Sequence, residues 1–110
     1  MFTHYLKLWD RFIPHIANGS KDLDVRVGHK GLSKIKAGDR VVFAGIHTRT
    51  VIAIRRYSTF ADMLLAENPK RILPGASAKT VLGGLRRIYP PQKETLGVIV
   101  IEFTKTTDAR

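Results

Sequence analysis

The sequence predicts a small α+β domain in which about five or six strands form a barrel flanked by short helices. Three observations support this fold class. Alternating or continuous apolar residues mark strands near both ends of the chain, helical spacing marks the segment before the last strand, and 110 residues suffice for one core. A closed barrel is the economical arrangement because it leaves no strand edge exposed. We expect one domain over residues 1–104 and a polar tail over residues 105–110.

The N-terminal segment predicts a strand followed by a short helix. Residues 4–9 alternate between apolar and polar side chains, which is typical of a strand. Asp10 stands where a helix N-cap is expected, and residues 11–18 carry apolar side chains three or four positions apart. The helix should end at Asn18-Gly19, because glycine favours the conformation that terminates a helix.

The stretch of residues 21–28 shows the strict alternation of a half-buried strand. Asp24 and Arg26 therefore share one face of the predicted strand. Continued alternation would put Lys21 on the opposite face, so the three side chains can converge only if Lys21 lies on the loop before the strand. The preceding Gly19-Ser20 makes such a loop plausible.

The remaining elements follow the same criteria. We expect strands over residues 40–44, over residues 51–54 with an extension to Tyr57, and over residues 96–103, the last buried on both faces. We expect helices that begin at Ser58 or Thr59 and end at Glu67-Asn68-Pro69, and that cover residues 78–89.

The chain is strongly basic, with 19 lysines and arginines against 9 acidic residues and a formal net charge of +10. An excess of this size attracts polyanions, of which nucleic acids are the commonest in cells. A general contribution to solubility is the simpler alternative. RNA is thus an expected partner, and no protein partner can be inferred.

Several classes of chemistry lack the residues they require. The absence of cysteine excludes disulfides, thiolate metal sites and a cysteine nucleophile, and fits a cytoplasmic location. The four histidines lack zinc-site spacing, and no phosphate-binding glycine loop occurs, so we expect no metal and no cofactor. The longest apolar run, residues 96–101, is far shorter than the ~20 residues of a membrane-spanning helix.

Five segments, taken in chain order, carry a resemblance to a known family. They are Gly19-x-Lys21-x-x-Asp24-x-Arg26, Ile35-x-x-Gly38-Asp39-x-Val41-x-Phe43, Phe60-x-x-Met63-Leu64, Arg87-Ile88-Tyr89-Pro90 and Gly97-Val98-Ile99-x-Ile101. In this order and spacing they resemble the ASCH (activating signal cointegrator homology) family over nearly the whole chain. The resemblance implies a single ASCH domain with a PUA-like β-barrel, a fold whose members commonly bind RNA.

A small bacterial subgroup of that family is similar to this chain in length and hydrolyses the exocyclic amide of N4-acetylcytidine with a lysine, a threonine and a glutamate. Lys21 matches the lysine position. Asp24 replaces the threonine, and Lys79-Thr80 stand near the position expected for the glutamate. The resemblance therefore implies an amidohydrolase acting on N4-acylated cytidine or a related modified nucleoside, with one of three catalytic positions retained.

Amide hydrolysis needs a base to activate the nucleophile and a donor to stabilise the oxyanion. Lys21 could act as the base if it is partly desolvated, Asp24 could position water, and Arg26 could hold an oxyanion or a phosphate. These three residues are the predicted catalytic set.

Other residues are candidates for substrate or RNA binding. Ser20, Thr48 or Thr50 could supply the hydroxyl that Asp24 replaces. Tyr89 could stack on a base, and Arg87 could contact a phosphate.

Other interpretations of the same residues stay open. Asp24 and Arg26 could be a structural ion pair, with Lys21 a solvated loop lysine. The domain could also be a non-catalytic RNA-binding module, or a ribonuclease acting on single-stranded RNA, although no histidine acid and base pair is evident.

Overall fold

A computed structural model describes residues 1–28 and 31–106 of the chain. The last four positions of the predicted polar tail, residues 107–110, lie outside the described residues. The described chain is a small α+β structure built on a five-stranded mixed sheet, which confirms the α+β class.

The sheet contains strands from both ends and the middle of the chain. The strands are β1 (Thr3–Leu6), β2 (Leu23–Val27), β3 (Arg40–Phe43), β4 (His47–Tyr57) and β5 (Val98–Phe103). Their order across the sheet is β1-β3-β4-β5-β2, with β1 parallel to β3 and the other neighbours antiparallel. β5 therefore lies between β4 and β2 and is almost entirely buried, as its continuous apolar sequence predicts.

Short helices cover the sheet. They are α1 (Ile13–Ala17), α2 (Phe60–Ala66), α3 (Pro69–Ile72), α4 (Ala78–Ile88) and α5 (Pro91–Glu94), with single 3₁₀ turns at Asp10–Phe12 and Leu32–Lys34. Thr59 caps α2 by accepting a hydrogen bond from the Asp62 amide, as the sequence predicts. Among the described residues, no helix is long and apolar enough to cross a membrane.

Two apolar clusters lie on opposite faces of the sheet. One packs α2, α3 and α4 against Val98 and Val100 of β5 and the apolar residues of β2. The other gathers Ile99, Ile101 and Phe103 of β5 with residues of α1, β3 and β4. Asp24 and Arg26 stand opposite Ile101 and Ile99 in the β2–β5 register, so they project from the second face.

The start of the chain departs from the sequence prediction in two ways. β1 ends at Leu6, earlier than residue 9, because its partner β3 ends at Phe43, opposite Leu6. Asp10 is the first residue of the 3₁₀ turn and does not cap it; Trp9 holds the cap position without a side-chain hydrogen bond.

The strand β4, the second strand of the β3–β4 hairpin, begins earlier than the predicted residue 51. β4 starts at His47 because a tight turn brings it directly back to Phe43, with positive φ at Ala44 (54°) and Gly45 (76°). Polar side chains at the start of β4 hide its alternation in the sequence. One of them, Arg49, is 1% exposed and donates to the carbonyl of Ile16.

Asp39, just before β3, joins the N-terminus to the sheet. Its carboxylate accepts hydrogen bonds from the Phe2 and Lys36 amides and pairs with His4 Nε2 at 2.8 Å. Chiefly because of the His4 hydrogen bond, the pKa of Asp39 is lowered from 3.8 to about 2. The ionised carboxylate is thus the form that the fold stabilises.

We predict that Asp39→Asn destabilises the protein at neutral pH and much less near pH 2. A lowered folded-state pKa stabilises the protein above about pH 4, and that contribution disappears as the pH falls through the folded-state value. Chemical denaturation of both proteins from pH 7 to pH 2 measures the difference. An offset that stays constant with pH would contradict this role of the carboxylate.

Candidate active site

A cavity of about 360 Å³ opens where the segment after β1, the start of β2 and the end of α4 meet. Lys21, Asp24 and Arg26, the three predicted catalytic residues, all line it, as does Tyr89. The rest of the lining is largely apolar and aromatic: Leu8, Trp9, Phe12, Val25, Ile72, Leu85 and Ile88, with Lys7 at the edge. We call this cavity the Lys21 pocket.

Lys21 reaches the pocket because it precedes β2. The chain turns at Gly19, whose φ of 80° favours glycine, and a Cβ atom there would lie 3.1 Å from the Lys105 carbonyl oxygen. The Lys21 amide then donates to the carbonyl of His15, which fixes the loop. The loop position expected for convergence with Asp24 and Arg26 is therefore the observed one.

The Lys21 ammonium is buried and held by two backbone carbonyls. Its side chain is 3% exposed, and Nζ donates to the carbonyls of Leu23 at 2.6 Å and Ile72 at 2.7 Å. Nζ also lies 5.1 Å from the centroid of the Phe12 ring. The interpretation of Lys21 as a solvated loop lysine is therefore wrong.

Burial lowers the pKa of Lys21 from 10.5 to about 8, although the Asp24 carboxylate acts in the opposite direction. A neutral amine has two N–H groups and one lone pair. The two carbonyls account for both N–H groups, so the lone pair is left for another proton donor. The deprotonated form is thus accessible just above neutral pH in a geometry suited to accept a proton.

Asp24 and Arg26 form an ion pair inside the pocket. Arg26 Nε donates to Asp24 Oδ2 at 2.5 Å, and Arg26 Nη2 donates to the Lys7 carbonyl at 2.6 Å. Burial opposes the charge on Arg26, but the adjacent Asp24 outweighs it and raises the pKa of the guanidinium. Arg26 Nη1 and Asp24 Oδ1 have no hydrogen-bond partner within the described part of the chain, and both side chains line the pocket.

Three aromatic side chains shape the pocket. Trp9 is 58% exposed at its mouth, and Phe12 and Tyr89 are partly buried. The Tyr89 hydroxyl has no hydrogen-bond partner among residues 1–28 and 31–106, and burial raises its pKa. Phe12 has no distinguishing sequence signal, because it occupies one of the apolar positions that the helical pattern around it also explains.

The other predicted residues lie elsewhere. Ser20 is exposed and donates to Asn18 Oδ1 at 2.6 Å. Thr48 and Thr50 lie on β4 opposite β3, and Arg87 is exposed on α4. None of the four lines the Lys21 pocket, whose described lining includes no serine or threonine.

The sequence analysis did not identify the role of Arg71, which helps to position the Ile72 carbonyl, the second hydrogen-bond partner of Lys21. Arg71 of α3 forms a two-pronged ion pair with Asp22, from Nε to Oδ1 at 2.8 Å and from Nη2 to Oδ2 at 2.9 Å. The Asp22 amide in turn donates to the Arg71 carbonyl at 3.2 Å. α3 is thereby bound to the segment that carries Lys21, which fixes the carbonyl of Ile72.

Arg71 belongs to a longer ion-pair network on the surface of the sheet. Glu102 of β5 accepts from Arg71 at 2.9 Å and from Arg55 at 2.7 Å. Arg55 also pairs with Glu67 at the end of α2, which accepts a hydrogen bond from the Tyr57 hydroxyl. The network joins α2 and α3 to strands β4 and β5 through residues that are not neighbours in the sequence.

Two solved structures share this architecture over almost their whole length. The crystal structure of the hypothetical protein PH0355 is 31% identical, with a TM-score of 0.86 over 94% of this chain and 98% of that chain. The solution structure of protein PF0455 from Pyrococcus furiosus is 31% identical, with a TM-score of 0.76 over 93% of this chain and 96% of that chain.

The fold described above is therefore shared by a class of small α+β domains. This chain belongs to the same family as PH0355 and PF0455. No protein-family model matches the chain, so its assignment to the ASCH family stays a prediction. No curated protein matches it either.

We predict that Arg71→Gln raises the pKa of Lys21 by about one unit or more. The substitution frees the negative charge of Asp22, and the loosened α3 lets water replace the Ile72 carbonyl beside the ammonium. Both changes favour the ammonium form, because burial is the main cause of the lowered pKa. Arg55→Gln removes an arginine from the same network on the side away from α3 and is the matched control. NMR titration of lysine labelled at Cε measures both variants, and equal shifts in the two would contradict a specific role for Arg71.

Proposed function

We propose that this chain is an ASCH-type amidohydrolase that removes the acyl group from N4-acylated cytidine or a related nucleoside in the Lys21 pocket. One observation carries the proposal: a buried amine with a pKa near 8 is held by two carbonyls so that its lone pair stays free beside an ion-paired carboxylate. Such an amine is suited to general-base catalysis near neutral pH.

We also infer that the sheet is curled into a PUA-like barrel. β1 and β2 stand at opposite ends of the strand order, yet Arg26 of β2 donates to the carbonyl of Lys7, one residue after β1. A second cavity is lined by residues of β1 together with Arg26. The approach of the two end strands supports a barrel whose seam is bridged by a side chain.

The size and lining of the pocket suit a planar nucleobase. Ligand pockets are commonly a few hundred Å³ and largely apolar, with a few polar groups that set orientation. The Lys21 pocket, at about 360 Å³, follows this description. Trp9 and Tyr89 offer ring faces for stacking, and the charged groups lie together on the β2 side.

The reaction requires water as the nucleophile, because no serine or threonine is among the described lining residues. Lys21 accepts a proton from water as the oxygen attacks the acyl carbonyl, which forms a tetrahedral oxyanion. Arg26 Nη1 stabilises the oxyanion by hydrogen bonding. The Lys21 ammonium then returns the proton to the exocyclic nitrogen, the C–N bond breaks, and the carboxylic acid and the free amino group of cytidine are released.

Asp24 supports this reaction through its two oxygens. Oδ2 accepts from Arg26 and so orients the guanidinium, while Oδ1 can accept a hydrogen bond from the attacking water or from the amide N–H of the substrate. This division of roles explains how an aspartate can occupy the position where the subgroup has a threonine: the chain activates water in place of a side-chain hydroxyl.

We predict that kcat/KM for N4-acetylcytidine rises about tenfold per pH unit below pH 8 and levels off above it, because only deprotonated Lys21 can act as the base. Steady-state rates from pH 6 to pH 9 measure the profile. A rate that is flat over this range would rule out Lys21 as the base.

We predict that Lys21→Arg lowers kcat/KM by about 10² to 10⁴, because arginine keeps a charged donor but does not lose its proton at these pH values. Lys79→Ala, at an exposed lysine on α4 outside the pocket, is the matched control and should leave the rate unchanged. Circular dichroism checks that both variants fold. Equal rates for Lys21→Arg and the control would contradict the proposed catalytic role and would leave a binding role for the pocket.

A further inference from the structure

A smaller cavity lies beside the Lys21 pocket. It has a volume of about 40 Å³, and its described lining is largely apolar. Four apolar residues line both cavities, so no more than one layer of side chains lies between them. We call this layer the apolar wall; it consists of Phe12, Ile72, Leu85 and Ile88.

On its α4 side the small cavity is bounded by Gly84, which contributes no side chain. Thr80, Val81 and Ile88 lie three or four positions away along the helix and line the same cavity, so position 84 faces it. Apart from the backbone of the helix and the adjacent residues, no atom of the described chain lies within 4 Å of where a Cβ at Gly84 would stand. The missing side chain therefore leaves this space open.

The apolar wall lies next to the proposed reaction centre. Lys21 Nζ donates to the Ile72 carbonyl at 2.7 Å and lies 5.1 Å from the centroid of the Phe12 ring. Water activated by Lys21 must contact Nζ, and the acyl carbon that it attacks lies about 3–3.5 Å from the water oxygen. The alkyl group on that carbon packs against the wall, because on the other side it would desolvate the ion pair of Asp24 and Arg26.

The empty space behind the wall changes what a larger acyl group costs. In a close-packed interior, added methylenes force neighbouring side chains out of their preferred rotamers. Here Phe12 and Ile88 are only partly buried, and the small cavity lies behind them. A water-sized group needs about 10–15 Å³ of such space, so the cavity accommodates a displacement equal to about two carbon atoms.

We propose that the site accepts linear N4-acyl groups of up to about four carbons because the apolar wall moves into the small cavity, and that Gly84 determines this limit. The inference rests on the proposed function, which places the acyl group beside Lys21. The preferred substrates are thus N4-acylcytidines with a short aliphatic chain such as butyryl. Gly84 acts through the wall and does not contact the reacting atoms, so it is a specificity-determining residue.

The test compares N4-butyrylcytidine with N4-acetylcytidine as substrates. Each buried methylene is worth about fourfold in binding, so kcat/KM should be about tenfold higher for the butyryl substrate. Gly84→Leu fills the small cavity and should lower this ratio at least about fivefold, because the wall can no longer move. Gly84→Ala fills less of the space and should lower the ratio by a smaller factor.

The matched control is Gly83→Leu, the same change at the preceding position of α4. Gly83 is outside the described lining of both cavities, and a Cβ there would lie 3.9 Å from Arg87 Nη1, the movable end of a side chain. This variant should keep the wild-type ratio of butyryl to acetyl rates. Thermal denaturation checks that all three variants fold.

Binding of N4-ethylcytidine and N4-butylcytidine separates this proposal from the proposed function. These analogues lack the acyl carbonyl and cannot be hydrolysed as amides. Trp9, the single tryptophan of the chain, lies at the pocket mouth and reports binding by its fluorescence. We expect the butyl analogue to bind about tenfold more tightly than the ethyl analogue in the wild type and in Gly83→Leu, and to lose this advantage in Gly84→Leu.

The outcomes distinguish the two proposals. A binding preference for the butyl analogue that Gly84→Leu abolishes, without hydrolysis of either acylcytidine, would refute the amidohydrolase and support the role of Gly84. Hydrolysis with no butyryl preference, with the same preference in Gly84→Leu, or with an equal loss in Gly83→Leu would overturn the role of Gly84 and leave the amidohydrolase. Absence of both binding and hydrolysis would overturn both.

Discussion

The contact on which the pocket depends is the pair of hydrogen bonds from the Lys21 ammonium to the carbonyls of Leu23 and Ile72. The folded environment as a whole lowers the pKa of Lys21 from 10.5 to about 8, which disfavours the ammonium by about 3 kcal/mol relative to water. The two carbonyls act against burial and leave one position on the nitrogen uncommitted. The geometry therefore holds a poorly solvated amine with two of its hydrogen-bond positions taken by the backbone.

The rest of the structure maintains this contact from two sides. Apolar packing of α3 and α4 against β2 excludes water from the side chain, and the Asp22–Arg71 ion pair keeps α3 in register with the loop before β2. In the part of the network formed by Arg55, Glu67 and Glu102, each group has at least two partners. Such shared pairing favours a fixed arrangement over a set of isolated, mobile salt bridges.

The sequence predicted most of the elements and part of the site, and the reasons for both outcomes are physical. The alternation of β2 and the apolar run of β5 are local signals, so these strands and the common face of Asp24 and Arg26 could be read directly. The beginning of β4 could not be predicted in this way, because an arginine in a sequence is normally expected at the surface, whereas Arg49 is buried. The Arg71 and Glu102 contacts join segments distant in sequence, and no local pattern encodes them.

The Ile72 carbonyl comes from a distant part of the chain, so the environment of Lys21 depends on the tertiary fold. Lys21 and Ile72 are 51 positions apart, and α3 must be in place before the second hydrogen bond exists. In an unfolded or half-formed chain Lys21 is an ordinary solvated lysine with a pKa near 10.5, protonated and unable to act as a base. The buried environment of Lys21, on which the proposed function depends, therefore exists only in the folded chain.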